Sequence, residues 1–241
     1  MKTKYIVGVI VFLGITVMLL NSNTVIRYVF KSKVWAHRVN SVEKLHQTEG
    51  KFKGLELDIV FVNNRKAFFD IHHPPDSSMG LSLSAYFRSI HDLFEYQYWL
   101  DFKNLNSENE LLSAATLDSV ARVFNIDKSS IIVESTKPWL LKSFKKMGFR
   151  TSYYLPSNLR KLDSLSLKAE IEQISKNILL SGSSYISADY RDYPILKRHF
   201  PDSKKILWFT VFGSMNRFSA RFLLYKILLD KNVDVLLIPP C

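Results

Sequence analysis

Cysteine is nearly absent from this chain of 241 residues, which contains only Cys241. An intrachain disulfide framework and a cysteine-based zinc site are therefore excluded. Glycine is also sparse: the eight glycines are scattered, and none forms the glycine-rich loop that cradles phosphates in nucleotide-binding proteins. The sequence has no internal repeat and no low-complexity tract. With 47% hydrophobic and 23% charged residues, it has the composition of an ordinary globular protein.

Acidic residues are outnumbered by basic ones. The chain has 33 Lys and Arg against 22 Asp and Glu, which gives a formal net charge of +11. This balance favours an anionic membrane surface or phosphate-bearing substrates as partners, and a merely soluble basic surface is the alternative. No recognised nucleic-acid-binding motif and no basic-aromatic stripe is present, so no nucleic-acid partner is expected.

The amino-terminal segment lacks charge over residues 5–20, after Lys2 and Lys4. This run is slightly shorter than the roughly 20 residues of a spanning helix. A signal peptide is the alternative, although no small-x-small cleavage site follows. We interpret residues 1–23 as a single-pass membrane anchor, 24–33 as a linker, and 34–241 as a barrel domain on the extracytoplasmic side.

Short apolar stretches alternate with helical stretches throughout the body. Strands are predicted at 34–36, 55–62, 98–102, 130–133, 149–153, 184–188, 206–209 and 233–238, with a return strand at 67–71. Helices are predicted at 41–47, 82–94, 108–124, 138–147, 166–179, 193–200 and 214–229. This alternation predicts a compact α/β fold, a TIM-type (β/α)8 barrel, preceded by one transmembrane helix. An open doubly wound sheet is the less favoured alternative, because no glycine-rich loop opens a helix.

Polar side chains follow several of the predicted strands, which is where the active site of a parallel barrel lies. Side chains alternate along a strand, so two acids separated by one residue share a face. The residues concerned are His37 and Arg38 after the first strand, Glu56 and Asp58 in the second, His73 after the return strand, and Asp101 and Lys103 at the end of the next.

The acids and histidines of this group suggest a metal-dependent reaction. Glu56, Asp58 and Asp101 would form an oxygen-rich site, which suits a hard divalent cation such as Mg²⁺ or Ca²⁺. His37 and His73 would serve as general base and general acid.

The two cations of the group would bind phosphate. Arg38 and Lys103 carry the positive charge and N–H donors that non-bridging phosphate oxygens require. Each residue also has a simpler interpretation; Lys103, for example, would form an ordinary ion pair with Asp101. Their occurrence at consecutive strand ends is what favours a shared site.

These residues and their order resemble the menorin domain family. The chain has WAHRVNS at 35–41, ELDI at 56–59, HPP at 73–75 and LDFK at 100–103. They are similar to that family's W-x-H-x-x-N-S opening, E-x-D-V strand, A-H-P-P turn and L-D-F-K strand. More distantly, the layout resembles glycerophosphodiester phosphodiesterases of the phospholipase-C-like superfamily. Val39 departs from that pattern, since those enzymes carry glycine after His-Arg.

The resemblance implies a phospholipase-C-like barrel. Glu56, Asp58 and Asp101 match metal-binding carboxylates, and His37 and His73 match an acid/base pair. The implied function is metal-dependent hydrolysis of a phosphodiester, either a glycerophosphodiester or a lipid head group. The alternative is a non-catalytic, menorin-like barrel that acts as a membrane-tethered binding module.

Overall fold

The computed structural model describes residues 22–209 and 218–240. Its strands are β1 Val34–Ala36, β2 Gly54–Asn63, β3 Ala67–Ile71, β4 Gln97–Phe102, β5 Ile131–Ser135, β6 Arg150–Tyr154, β7 Tyr185–Asp189, β8 Lys205–Trp208 and β9 Val233–Ile238. Its α-helices are α1 Asn23–Val29, α2 Val42–Thr48, α3 Leu83–Arg88, α4 Glu110–Val123, α5 Lys142–Lys146, α6 Ser164–Ser181, α7 Tyr193–His199 and α8 Phe218–Leu229.

Eight of these strands form a closed parallel barrel. Going round it from β1, the order is β1-β9-β8-β7-β6-β5-β4-β2, and β2 pairs again with β1. The predicted TIM-type barrel is confirmed, and the open-sheet alternative is wrong because the β1–β2 pairing leaves no free edge. The ninth strand, β3, is antiparallel to the distal half of β2 and extends beyond the barrel.

Some predicted elements differ from the structure at their ends. The helix predicted at 82–94 stops at Arg88, and a separate 3-10 turn covers Leu93–Glu95. The side chain of Asp92 accepts a hydrogen bond from the Phe94 amide, which favours a new start over a continuous helix. The predicted helix 138–147 begins as the 3-10 turn Pro138–Leu141. Of the helix predicted at 214–229, residues 214–217 lie outside the described residues.

The predicted anchor at residues 1–23 also lies outside the described residues, apart from its last two positions. Among residues 22–209 and 218–240, no helix has both the length and the apolar character needed to span a bilayer. Within residues 24–33, which the sequence indicates as a linker, the structure has most of helix α1. Its Ile26 is fully buried in the core of the body.

The barrel interior is apolar at its centre and polar at one end. Its central side chains are Trp35, Trp99, Ile132, Tyr185, Ile206, Val235 and Leu237. A larger apolar cluster fills the layer between the strands and the outer helices. Gly54 lies against the large interior ring of Trp35, where an added Cβ would be 2.1 Å from a ring carbon. The polar side chains therefore lie on an apolar floor, at the carboxyl ends of the strands.

Lys205 is the first residue of β8 and lies at the amino-terminal end of the barrel, opposite to the polar end. It is fully buried, and its Nζ donates to the carbonyls of Phe200 (2.6 Å) and Ser203 (2.7 Å). Lys205→Met should lower the free energy of unfolding by about 3 kcal/mol. The two carbonyls would lose this donor, and an unsatisfied buried polar group costs about 1–3 kcal/mol. Lys204→Met removes an ion pair with Asp234 and an exposed hydrogen bond to the Lys231 carbonyl, and it should change the free energy of unfolding by less than about 1 kcal/mol. Equal losses in urea unfolding would contradict this account.

Candidate active site

Strand register brings the acidic side chains together. Asp58 on β2 lies opposite Asp101 on β4, and Asp101 lies opposite Glu134 on β5. Glu56 is two residues before Asp58 and shares its face. Glu56, Asp58 and Asp101 each offer a ligand oxygen, and these oxygens lie within 4.8 Å of one another. Two strands that are distant in sequence, β2 and β4, thus form one carboxylate cluster.

Lys103 pairs with two of these carboxylates. Its Nζ lies 2.7 Å from Asp58 Oδ1 and also donates to Asp101 Oδ2. Burial opposes its charge, yet the two acids raise the pKa of Lys103 above its usual value. Burial also acts against the charge of Asp58, but Lys103 and an amide donor hold the pKa of Asp58 below its ordinary value.

Glu56 has electrostatic surroundings unlike those of Asp58. It is buried, and burial together with the charges of Asp58 and Asp101 raises its pKa well above the ordinary value. The Arg38 backbone amide donates to its Oε2 at 2.6 Å. Two cations, Lys103 and Arg38, oppose the three carboxylates, so the cluster retains negative charge when all three are ionised. A cluster of hard oxygen donors with uncompensated negative charge fits a divalent cation.

His37 presents a fixed ring nitrogen to this cluster. Its Nδ1 lies 3.0 Å from the Phe209 carbonyl, an acceptor, so Nδ1 must carry the proton. The other nitrogen, Nε2, lies 3.8 Å from Glu56 Oε2. Burial and the neighbouring Arg38 lower the pKa of His37 to about 4. The ring is therefore neutral near pH 7, and the lone pair of Nε2 faces the carboxylates.

Arg38 connects His73 to the cluster. One guanidinium nitrogen lies 3.0 Å from His73 Nε2, and its Nε lies 3.8 Å from Asp58 Oδ2. The backbone of Arg38 has a φ of +53°, in the left-handed region that non-glycine residues rarely occupy. Such strain costs on the order of 1–3 kcal/mol and is typical of functional sites. Here that backbone conformation accompanies the amide contact to Glu56.

Asn40 orients Asp58, a role that the sequence did not reveal. Its Nδ2 donates to Asp58 Oδ2 at 2.6 Å, and its Oδ1 accepts from the Asp58 amide at 2.9 Å. Along β2, β1 pairs at Leu55 and β3 pairs from Ile59 onward, so the Asp58 amide falls between them. Asn40 fills that gap in the hydrogen bonding and fixes the carboxylate at the same time.

All seven residues predicted from the sequence line a single pocket of about 120 Å³. Five further residues outside the predicted group line the same pocket: Trp99, Glu134, Tyr154, Trp208 and Leu237. The rings of Tyr154 and Trp208 are stacked, with centroids 5.9 Å apart. His72, the neighbour of His73, turns instead towards Asp70, with 2.6 Å between Nδ1 and Oδ2. The geometry thus brings the predicted group together, and the individual roles stay predictions.

Glu134 yields a pH-dependent prediction. It is buried, accepts from Ser152 Oγ at 2.8 Å, and burial together with Asp101 raises its pKa from 4.5 to about 8. Between these values the folded state binds more protons than the unfolded one, so its contribution to stability is full below 4.5 and is lost as the pH rises to about 8. Glu134→Gln should remove this slope in chelator-treated protein, because glutamine stays neutral. Its free energy of unfolding should exceed that of wild type by an amount that grows with pH to a few kcal/mol, at about 1.4 kcal/mol per pKa unit. The measurement is the free energy of unfolding in urea between about pH 5 and about pH 8. The same pH dependence in wild type and in Glu134→Gln would contradict this prediction.

Comparison with known proteins identifies the fold. No protein-family model matches the chain, and no curated protein matches it. Three similar solved structures are a glycerophosphodiester phosphodiesterase from Parabacteroides distasonis (16% identity, TM-score 0.58, covering 86% of this chain and 92% of that one), one from Thermotoga maritima (13%, 0.53, 85% and 92%), and a phosphodiesterase from Oleispira antarctica in complex with the product sn-glycerol-3-phosphate (16%, 0.54, 87% and 94%). At these identities the likeness shows the fold alone. The narrower resemblance to menorins has no support from a family match.

Proposed function

We propose that this chain is a metal-dependent phosphodiester hydrolase. Its substrate class is a glycerophosphodiester or a phospholipid-derived head group, and its narrower kinship is with the menorin family. The observation that carries the proposal is the convergence of three carboxylates, two histidines and two cations on one pocket at the carboxyl ends of the strands. The fold shared with glycerophosphodiester phosphodiesterase structures supports the same reaction class.

The carboxylate cluster is the proposed metal site. Glu56, Asp58 and Asp101 would hold Mg²⁺ or Ca²⁺, the divalent ions that oxygen ligands favour. When bound, such an ion supplies Lewis acidity that polarises a phosphoryl oxygen. Asn40 keeps Asp58 Oδ2 in place through its side-chain amide. Hydrogen bonds to ligands of this kind are typically worth 10- to 100-fold in metal affinity or activity.

The two histidines are the proposed proton carriers. Since Nδ1 of His37 is held by the Phe209 carbonyl, its Nε2 is free of a proton and is placed to accept one from the attacking hydroxyl. His73 is placed to donate a proton to the leaving alcohol. This assignment requires the Arg38 guanidinium to leave His73 Nε2, which it contacts at 3.0 Å, when substrate enters. Since that nitrogen accepts from Arg38, it must also take up a proton from solvent before it can donate one.

The two cations are the proposed phosphate ligands. Arg38 is exposed at the pocket rim, and Lys103 lies deeper between Asp58 and Asp101. Both present N–H donors to the same space, where the non-bridging oxygens of a phosphodiester would accept them. Their positive charge also offsets part of the repulsion between an anionic substrate and the acidic cluster.

The membrane tether is part of the same proposal. The uncharged run at residues 5–20 supports a single-pass anchor, and the basic chain suits an anionic surface. The body would then lie on the extracytoplasmic side.

The test is hydrolysis by the purified full chain in detergent. Glycerophosphocholine and bis(p-nitrophenyl) phosphate would be offered with Mg²⁺, Ca²⁺, Mn²⁺ or chelator, and p-nitrophenyl phosphate would serve as the monoester control. We expect ion-dependent cleavage of the diesters and little of the monoester. No cleavage under any condition, with substrate still bound, would favour the binding-module alternative.

A further inference from the structure

Helix α1 covers the end of the barrel opposite to the pocket. Its end packs against α8, where the rings of Phe30 and Tyr225 are 6.3 Å apart. Lys33 Nζ donates to the carbonyls of Leu228 (3.0 Å) and Asp230 (2.8 Å), just before β9. Arg27 lies over the ring of Phe52, just before β2, at 5.6 Å. Because these partners lie before or at the start of strands, α1 is fixed at the amino-terminal end of the barrel.

Large apolar side chains remain exposed where α1 meets α8. On α1, Tyr28 is 84% and Val29 is 62% exposed, and on α8, Phe222 is 58% and Leu229 is 72% exposed. Phe222, Lys226 and Leu229 follow one stripe of the helix, and the Lys226 ammonium lies 4.6 Å from the Phe222 ring centre. Single exposed apolar residues are ordinary, but four of them on two helices that pack together indicate an interaction surface. We name these four residues, with the exposed Lys31 and Lys226, the α1–α8 face.

The charge around this face is mainly positive. Exposed lysines stand in the loops that lead into β1, β2 and β9: Lys31, Lys51, Lys53 and Lys231. The acids of this end lie together before β2 and β4: Glu49 pairs with His46 and lines one pocket with the exposed Asp92 and Glu95. A lysine close to an anionic membrane contributes about 1 kcal/mol to binding. Aromatic and aliphatic side chains beside lysines suit a bilayer interface, where the apolar part enters and the ammonium stays in water.

The sequence places this face next to the membrane. The uncharged run ends at Leu20, and Ser22 already caps α1, accepting from the Val25 amide at 3.4 Å. One residue therefore separates the two segments. An anchor that ends this close to a helix packed on the body leaves little freedom for the body to turn over. The α1–α8 face must then meet the bilayer surface.

We propose that the α1–α8 face rests on an anionic membrane surface, and that the pocket consequently opens towards the water. This rests on the membrane anchor of the proposed function, and it places the pocket out of reach of the lipids of the bilayer that holds the chain. The six residues of β4 span about 20 Å at about 3.3 Å per residue. The length of the strand would therefore separate the pocket from the phospholipid phosphates of the same bilayer.

The surface is tested with the full chain in nanodiscs of phosphatidylcholine and phosphatidylserine. In a Cys241→Ser background, which has no other cysteine, a fluorescent probe is attached through Phe222→Cys or, as the matched control, through Thr136→Cys, an exposed position just after β5. Brominated lipids should quench the probe at position 222 and leave the one at 136 bright. Equal quenching, or quenching at 136 alone, would overturn the proposed orientation.

The direction in which the pocket opens is tested in the same nanodiscs. Glycerophosphocholine in solution should be hydrolysed, and the phosphatidylcholine of the disc should remain intact. Cleavage of the disc lipid would overturn the water-facing pocket while preserving the hydrolase. If neither is cleaved, the proposed function fails, and the quenching result still decides the membrane-facing surface independently.

Discussion

Glu56→Gln is expected to lower diester hydrolysis at least ~10³-fold and to leave the metal-free protein as stable as wild type or more stable. Losing a ligand of the proposed ion removes about 4 kcal/mol of transition-state stabilisation, at about 1.4 kcal/mol per tenfold change in rate. Glutamine is neutral, so it also relieves the burial and repulsion that raise the pKa of Glu56. It still offers an oxygen to the Arg38 amide. Activity and metal-free stability should therefore move in opposite directions.

Asp58→Asn provides the contrast. It should abolish hydrolysis equally, but it should destabilise the metal-free protein, because Asp58 is bound by Lys103 at 2.7 Å and by Asn40 at 2.6 Å. Urea unfolding in chelator measures this difference. Excess Mg²⁺ or Ca²⁺ should raise the melting temperature of wild type, and it should raise that of both site variants by less. Glu172→Gln, an exposed position on α6, is the control and should show the same rise as wild type. An unchanged rise in Glu56→Gln would remove Glu56 from the proposed site.

The barrel and the convergence of its acids follow from local signals in the sequence. Alternating strands and helices predict parallel pairing, and in a parallel barrel every strand ends at the same face. Period-two alternation then puts Glu56 and Asp58 on one side, and strand-end position puts Asp101 beside them. These inferences need no knowledge of register, because neighbouring parallel strands bring their ends together whichever residues pair.

The missed residues depend on register and on distant contacts. Glu134 lies beyond the end of the predicted strand at Val133, whereas β5 continues to Ser135 and sets Glu134 opposite Asp101. Applying the strand-end rule one residue further would have found it. Asn40 acts in a gap between β1 and β3 that exists only once both pair with β2. No residue spacing in the sequence predicts that gap.

The proton position on His37 is likewise a tertiary property. Its Nδ1 partner is the carbonyl of Phe209, 172 residues away, just after β8. The sequence supplies a histidine after β1, but which nitrogen faces the carboxylates is set by barrel closure. The same holds for α1: the sequence indicates a linker at residues 24–33, and only packing shows that Ile26 lies inside the body.

His73→Ala is expected to lower kcat by roughly 10²–10⁴-fold, the usual contribution of a positioned acid or base. The melting-temperature rise produced by Mg²⁺ or Ca²⁺ should persist, because His73 contacts Arg38 and is not one of the three clustered oxygen donors. A loss of activity with the ion effect intact separates a proton-transfer role from a structural one, which would alter both.

His72→Asn is the matched control for that variant. It changes the adjacent histidine, which faces Asp70 at 2.6 Å, and the asparagine amide keeps a donor near that carboxylate. Its kcat should stay within about threefold of wild type, well below the loss of a positioned acid. If His72→Asn loses as much activity as His73→Ala, the acid has been assigned to the wrong histidine. If neither variant loses activity, no histidine of this turn takes part in proton transfer, and His37 alone would have to serve.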